Sequence, residues 1–215
     1  MIGAVLFDLD GTLVDSLDDI ATALDASLAD HGHRTFDRAT VRDWIGGGAR
    51  QLVAQALEAQ GGGDVDRVLA SFRTHYAAAP VVHTRVYDGI ASVLDALDGL
   101  PLAILSNKPH ALTVAIADKL LARWPWRVVA GAREGVALKP DPAAALAIAR
   151  ELGIPASRCA YVGDSAIDVA MAQAAGMYAV AVAWGFRPRA ELVAAKPALL
   201  VDTPDQLRSL LTATS

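Results

Sequence analysis

Short apolar runs alternate with longer stretches of helical periodicity through most of the chain, the pattern of an α/β fold on a parallel sheet. Strands are predicted at Gly3–Phe7, Pro101–Leu105, Arg127–Ala130, Cys159–Val162, Tyr178–Ala183 and Leu199–Val201. Between them, helical patterns occupy Gly89–Asp98, His110–Leu121, Pro142–Leu152, Ala166–Ala175 and Pro188–Ala195. Pro142 suits a first helical turn and Gly153 a helix stop. The rhythm breaks between Ser16 and Pro80. That interval reads as helices only, Leu17–Asp30, Arg38–Ile45, Ala49–Gln60 and Asp64–Ala79, punctuated by Gly46-Gly47-Gly48 and Gly61-Gly62-Gly63. The expected architecture is a sheet unit made of residues 1–15 and 81–215, with a small all-helical unit, residues 16–80, inserted after the first strand.

Composition narrows the function classes. Hydrophobic residues are 53% and charged residues 20% of the 215, enough apolar material for a sizeable core. The net charge of −5 and the absence of any Lys/Arg cluster argue against a nucleic-acid partner. Mean hydropathy is +0.33, yet no apolar run approaches the roughly 18 residues that a membrane span requires, so no membrane partner is expected. The N-terminal run lacks a basic leader and a cleavage pattern, and the expected location is cytoplasmic. One cysteine, Cys159, excludes an intramolecular disulfide framework and reads as a core thiol. His31-Gly32-His33 has no third ligand nearby and reads as a helix end, and Trp124 and Trp126 read as packing residues.

Four segments carry candidate chemistry, and each follows a predicted strand. In open parallel sheets, ligands bind just beyond the carboxyl ends of the strands. The first segment, Phe7-Asp8-Leu9-Asp10-Gly11-Thr12, places two carboxylates and a turn-making glycine there, a candidate site for a hard cation such as Mg²⁺. A helix-loop-helix calcium loop does not fit. Aligning Gly11 with that loop's glycine puts Leu6 and Leu17 at its first and last ligand positions. The second, Ser106-Asn107-Lys108-Pro109, offers a hydroxyl and an amide ahead of a helix N-terminus, which suits phosphate, although helix capping would explain it equally well. The third, Leu138-Lys139-Pro140, holds one of only four lysines, and a compact ammonium suits a phosphate oxygen. In the fourth, Gly163-Asp164-Ser165-Ala166-Ile167-Asp168, two acids lie one helical turn apart and can bind and support a metal, or else Asp164 caps the helix.

Together these segments resemble the haloacid dehalogenase superfamily, and within it the phosphatases of the phosphoglycolate phosphatase type. The motif D-x-D-G-T stands intact from Asp8 to Thr12, and the hydroxyl, lysine and G-D-x-x-x-D motifs follow in the family's order. Trp44-Ile45-Gly46-Gly47-Gly48-Ala49-Arg50 is similar to the family's cap loop, and Trp184-Gly185-Phe186-Arg187 to a segment after its last motif. The resemblance implies a Rossmann-like core with a helical cap domain. It also implies Mg²⁺-dependent hydrolysis of a small phosphorylated metabolite, such as 2-phosphoglycolate, through an aspartyl-phosphate.

In that scheme Asp8 is the nucleophile, Asp10 the acid and base, and Lys139 a further catalytic group. Ser106, Asn107 and Lys139 bind phosphate. Asp8, the Asp10 carbonyl and Asp164 hold the metal, and Asp168 orients its shell. The rivals are a β-phosphoglucomutase-like phosphosugar mutase with the same core residues, and a non-catalytic phosphosugar-binding protein. Substrate selection is expected from the cap, at Gly47, Gly48 and Arg50. Arg50 opens a predicted helix, where a cation is unfavourable to the helix dipole unless an anion compensates it, and a substrate carboxylate would do so.

Overall fold

A computed structural model of the protein describes the backbone of residues 1–214 and the side chains through Leu211. Six parallel strands form the central sheet in the order β5-β4-β1-β6-β7-β8. They are β1 (Ala4–Phe7), β4 (Leu102–Pro109), β5 (Trp126–Ala132), β6 (Cys159–Gly163), β7 (Tyr178–Val182) and β8 (Leu199–Val201). A strand buried on both faces has no polar side to alternate with, which is why β1 reads Ala-Val-Leu-Phe without interruption.

Alternate residues of the strands serve opposite faces. Val5 and Phe7 pack with Ile104 and Val162 against α5 (Ile90–Ala96), α6 (His110–Leu120) and α10 (Pro204–Thr214). Ala4 and Leu6 pack with Tyr161 and Ala179 against α7 (Ala143–Glu151), α8 (Ala166–Ala174) and α9 (Arg189–Ala195). The chain runs outward from β1 to β5, then returns to the other side of β1 to lay down β6, β7 and β8. The strand order therefore reverses between β1 and β6. A crevice opens at the carboxyl ends of strands where the order reverses, and Asp8 and Asp164 stand at its two sides.

Between β1 and β4 lie α1 (Leu17–Ala29), α2 (Arg38–Trp44), α3 (Ala49–Glu58) and α4 (Val65–Ala78). They share an apolar cluster of their own, with Leu24, Leu28, Val41, Val53, Leu57 and Leu69 among its buried members. Leu112 of α6 and Phe186 reach into this cluster from the sheet side. Every predicted strand and helix is present to within a few residues at its ends. Beyond those elements the structure has α10 and a ribbon of two short antiparallel strands, β2 (Val14–Asp15) and β3 (Arg85–Val86), joining the chain's exit from the sheet to its return. No helix among the described residues is long and apolar enough to cross a membrane.

A buried carboxylate fastens the ribbon to the helical insert. Asp19, in the first turn of α1, accepts from the N–H groups of Val82, His83 and Thr84 at 2.8–3.1 Å and from the Thr84 hydroxyl at 2.5 Å. Burial alone would raise the Asp19 pKa. The Thr84 hydroxyl and the three N–H donors outweigh it and hold the carboxyl below its ordinary value.

Removing Asp19 strands those donors, so Asp19→Ala should destabilise the fold by about 2–4 kcal/mol in urea unfolding at neutral pH, given ~1.5–3 kcal/mol for a hydrogen bond to a charged group. The folded pKa lies below the unfolded one. The contribution is therefore present above the unfolded value, 3.8, and is lost as the pH falls through the folded value. The gap between wild type and variant should narrow in acid; a gap constant down to about pH 3 would exclude the ionised form of Asp19 as its source.

Candidate active site

All four chemistry-bearing segments meet at the carboxyl edge of the sheet. Asp8 leaves the end of β1, with its N–H bound to Val162 O at 2.9 Å. Asp164 leaves the neighbouring β6, and Asp168 lies in the first turn of α8. One carboxylate oxygen from each of the three falls within 4.8 Å of the others, and all three side chains are buried. Lys139 is the cation among them. Its Nζ is 2.9 Å from Asp8 Oδ1 and 2.7 Å from Asp168 Oδ1, and it donates to Tyr161 Oη at 2.8 Å. Tyr161 in turn donates to Leu105 O at 2.7 Å, so the ammonium has a fixed seat.

The helix-capping alternative for Asp164 is excluded. Ser165 caps α8 and Asp168 completes a capping box with it, while Asp164 Oδ2 accepts from Phe186 N at 2.7 Å. Close approach of Asp164 depends on Gly11. A Cβ there would lie 2.2 Å from Asp164 Oδ2, and the residue's φ of +80° disfavours any side chain.

Three carboxylates against one ammonium leave the cluster short of positive charge. Burial raises the Asp8 carboxyl to about 6, with the Asp168 charge adding to it and Lys139 opposing. Burial also lifts Asp164 well above the carboxylate range, reinforced by Asp168 and Asp8. Burial pulls Lys139 down, yet the Asp168 and Asp8 carboxylates outweigh that and hold its ammonium above the ordinary value. Three buried carboxylates, each with an oxygen within 4.8 Å of the others, offer the all-oxygen donor set of a hard divalent metal.

Asp10 stands apart from this cluster. Its Oδ1 accepts from Ser16 Oγ at 2.6 Å, and Lys108 Nζ lies 3.0 and 3.1 Å from its two oxygens. Ser106 lines the cavity above the cluster, and its Oγ accepts from Lys108 N. Asn107 lines it too, but its amide is engaged. It donates to Gly46 O at 3.1 Å and Lys139 O at 3.0 Å and accepts from Lys139 N at 2.8 Å, bridging the lysine loop to the glycine loop of the insert.

Gly48 borders the cavity, whereas Gly47 faces the Gln51 side chain and is not among its lining residues. Arg50 is also outside: its guanidinium is 62% exposed and pairs with Asp66 of α4. The anion that compensates this cation at the start of α3 is thus an internal aspartate.

Sequence reasoning passed over the parts played by Lys108, Tyr76 and the individual residues of 184–187. The Trp184 indole donates to Thr12 O, Phe186 N–H holds Asp164, and Arg187 donates to the carbonyls of Asp43 and Ile45 on the insert. The scarcity of lysine was the available signal for Lys108.

Comparison with known proteins agrees with this arrangement. A family model of haloacid dehalogenase-like hydrolases matches residues 2–176. The chain is 37% identical to a phosphoglycolate phosphatase of Pseudomonas fluorescens over 96% of its own length and 78% of that protein's. It is 39% identical to one of Rhodospirillum rubrum, over 85% and 80%. Among solved structures, a protein of Lactobacillus delbrueckii subsp. bulgaricus proposed to be a phosphoglycolate phosphatase superposes with a TM-score of 0.91 at 29% identity, covering 97% and 98% of the two chains.

The raised carboxyls tie stability to pH and metal. Asp8 and Asp164 hold protons in the metal-free fold that the unfolded chain releases, so their contribution is full below 3.8; the Asp8 part is lost as the pH rises through about 6, and the Asp164 part as it rises through that group's own raised value. A divalent cation relieves that loss by replacing the protons. Added MgCl₂ or MnCl₂ should therefore raise the thermal midpoint more at about pH 7.5 than at about pH 5; equal gains at both would disconnect the carboxyls from the metal.

Proposed function

Since the chain belongs to the haloacid dehalogenase-like hydrolases and is a phosphoric monoester hydrolase, we propose that it cleaves 2-phosphoglycolate or a close analogue through an aspartyl-phosphate on Asp8. The buried cluster of Asp8, Asp164, Asp168 and Lys139 beneath a cavity roofed by the insert is the observation that carries this reading. The relatives' names supply the substrate. In this proposal residues 1–15 and 81–215 form the catalytic unit and residues 16–80 the cap.

Asp8 and Asp164, with the Asp10 carbonyl, would hold Mg²⁺, and Asp168 would steady its shell. Bound there, the ion lessens the repulsion between an anionic carboxylate and an anionic phosphoryl group. Lys139 orients the Asp8 carboxylate and adds positive charge beside the transferring oxygens, and Ser106 donates its hydroxyl to one of them. Asn107 acts as a positioning residue, holding the Lys139 backbone. An Asp8 oxygen bonds to phosphorus as the ester P–O bond breaks, and the departing alkoxide takes a proton from Asp10. Asp10, now ionised, accepts a proton from the water that attacks the phosphoryl group, which frees phosphate and restores Asp8.

Asp8→Asn should abolish turnover on a phosphomonoester panel assayed with Mg²⁺, whereas Asp10→Asn should slow 2-phosphoglycolate hydrolysis ~10²–10⁴-fold, the usual range for a general acid–base. With p-nitrophenyl phosphate, whose leaving group departs without a proton, the Asp10 variant should accumulate a phosphoryl adduct visible by intact mass. An adduct on any residue other than Asp8 would refute the assignment.

A further inference from the structure

We propose that Lys108 and Tyr76 form a seat for a negative charge on the leaving group, so that the enzyme selects short phosphate esters bearing a carboxylate. This rests on the phosphatase reading above and assigns its specificity to two residues. Lys108 lies two positions beyond Ser106 at the end of β4, with its side chain only 3% exposed. Its Nζ meets Asp10, donates to Tyr76 Oη of α4, and lies 4.3 Å from the Tyr76 ring centroid. The cavity that Lys108 lines with Asp10 also has apolar walls, Ile20, Leu52 and Phe72 among them. A buried ammonium attracts an anion more strongly than one in water, because the local dielectric is low.

Tyr76 supplies a second sign. The residue lines the cavity and its hydroxyl accepts from Lys108, while its own hydrogen has no acceptor among the described residues. A buried donor without an acceptor, facing a cavity, is poised for an incoming oxygen. The other candidate cations are committed elsewhere. Lys139 sits in the carboxylate cluster, Arg187 grips two backbone carbonyls, and Arg50 pairs with Asp66 at the surface.

Spacing fits the same occupant. Lys108 Nζ lies 3.0 and 3.1 Å from the two oxygens of Asp10, the acid for the leaving oxygen. In 2-phosphoglycolate the carboxylate carbon is two bonds from that oxygen, so a carboxylate there would fall on the Lys108 side of the cavity.

The test compares kcat/KM for 2-phosphoglycolate and 2-hydroxyethyl phosphate, equal in length but neutral at the far end, with the Mg²⁺-loaded protein. Wild type should prefer the acid. Lys108→Met should lower the ratio of the two values roughly 10- to 150-fold and Tyr76→Phe roughly 2- to 12-fold, the spans of a charged and a neutral hydrogen bond. If Lys108→Met does not fold, Tyr76→Phe carries the test alone. Equal losses on both substrates would make Lys108 a positioning residue for Asp10 and overturn the seat. Wild type that cleaves both esters without preference overturns the seat and leaves the phosphatase reading standing; wild type that cleaves neither overturns both.

Discussion

One ammonium, that of Lys139, stands between the Asp8 and Asp168 carboxylates in a region closed to water, and most of the surrounding architecture holds it there. Tyr161 on β6 accepts from it, and Asn107 at the end of β4 fixes its backbone from both sides. The α8 capping box fixes Asp168, and the β1–β6 pairing fixes Asp8 beside Asp164. These groups come from β4, β6, α8 and the end of β1, so the sheet's register determines the site's geometry. A one-residue slip in β1 would carry Asp8 to the opposite face of the sheet.

The arrangement tolerates buried charge because it is incomplete. A fully neutralised cluster would be more stable and would have nothing to offer a metal or a phosphoryl group. Burial, reinforced by the neighbouring carboxylates, raises both Asp8 and Asp164 above the ordinary carboxyl value. The hydrogen-bonded carboxylate of Asp19 is the opposite case: it is saturated with donors and held low in pKa.

What the sequence discloses divides along the same line. Asp8, Asp10, Ser106, Lys139 and Asp164 each follow an apolar run, and sheet topology sends such positions to one edge, so local pattern marks them as candidates, while the roles expected of them come from the family resemblance. Lys108 and Asp10 are 98 positions apart, Asp19 and Thr84 65, and Arg187 and Ile45 142. No periodicity carries information over such distances. The ribbon of β2 and β3 is two residues wide on each side, too short to leave an alternation. Arg50 shows the converse hazard. A cation at a helix start does call for a nearby anion, but Asp66, on another helix, provides it.

The sheet unit grips the insert's loop through backbone carbonyls. Asn107 takes Gly46 O, and Arg187 takes those of Asp43 and Ile45. A carbonyl is present whatever side chain its residue carries. The joint is therefore indifferent to the identity of Asp43 and Ile45, and it demands only that the loop follow the same path. Such a coupling lets the cavity-facing side chains of the helices change without disturbing how the loop is held. The grip is generic, while the lining can diversify.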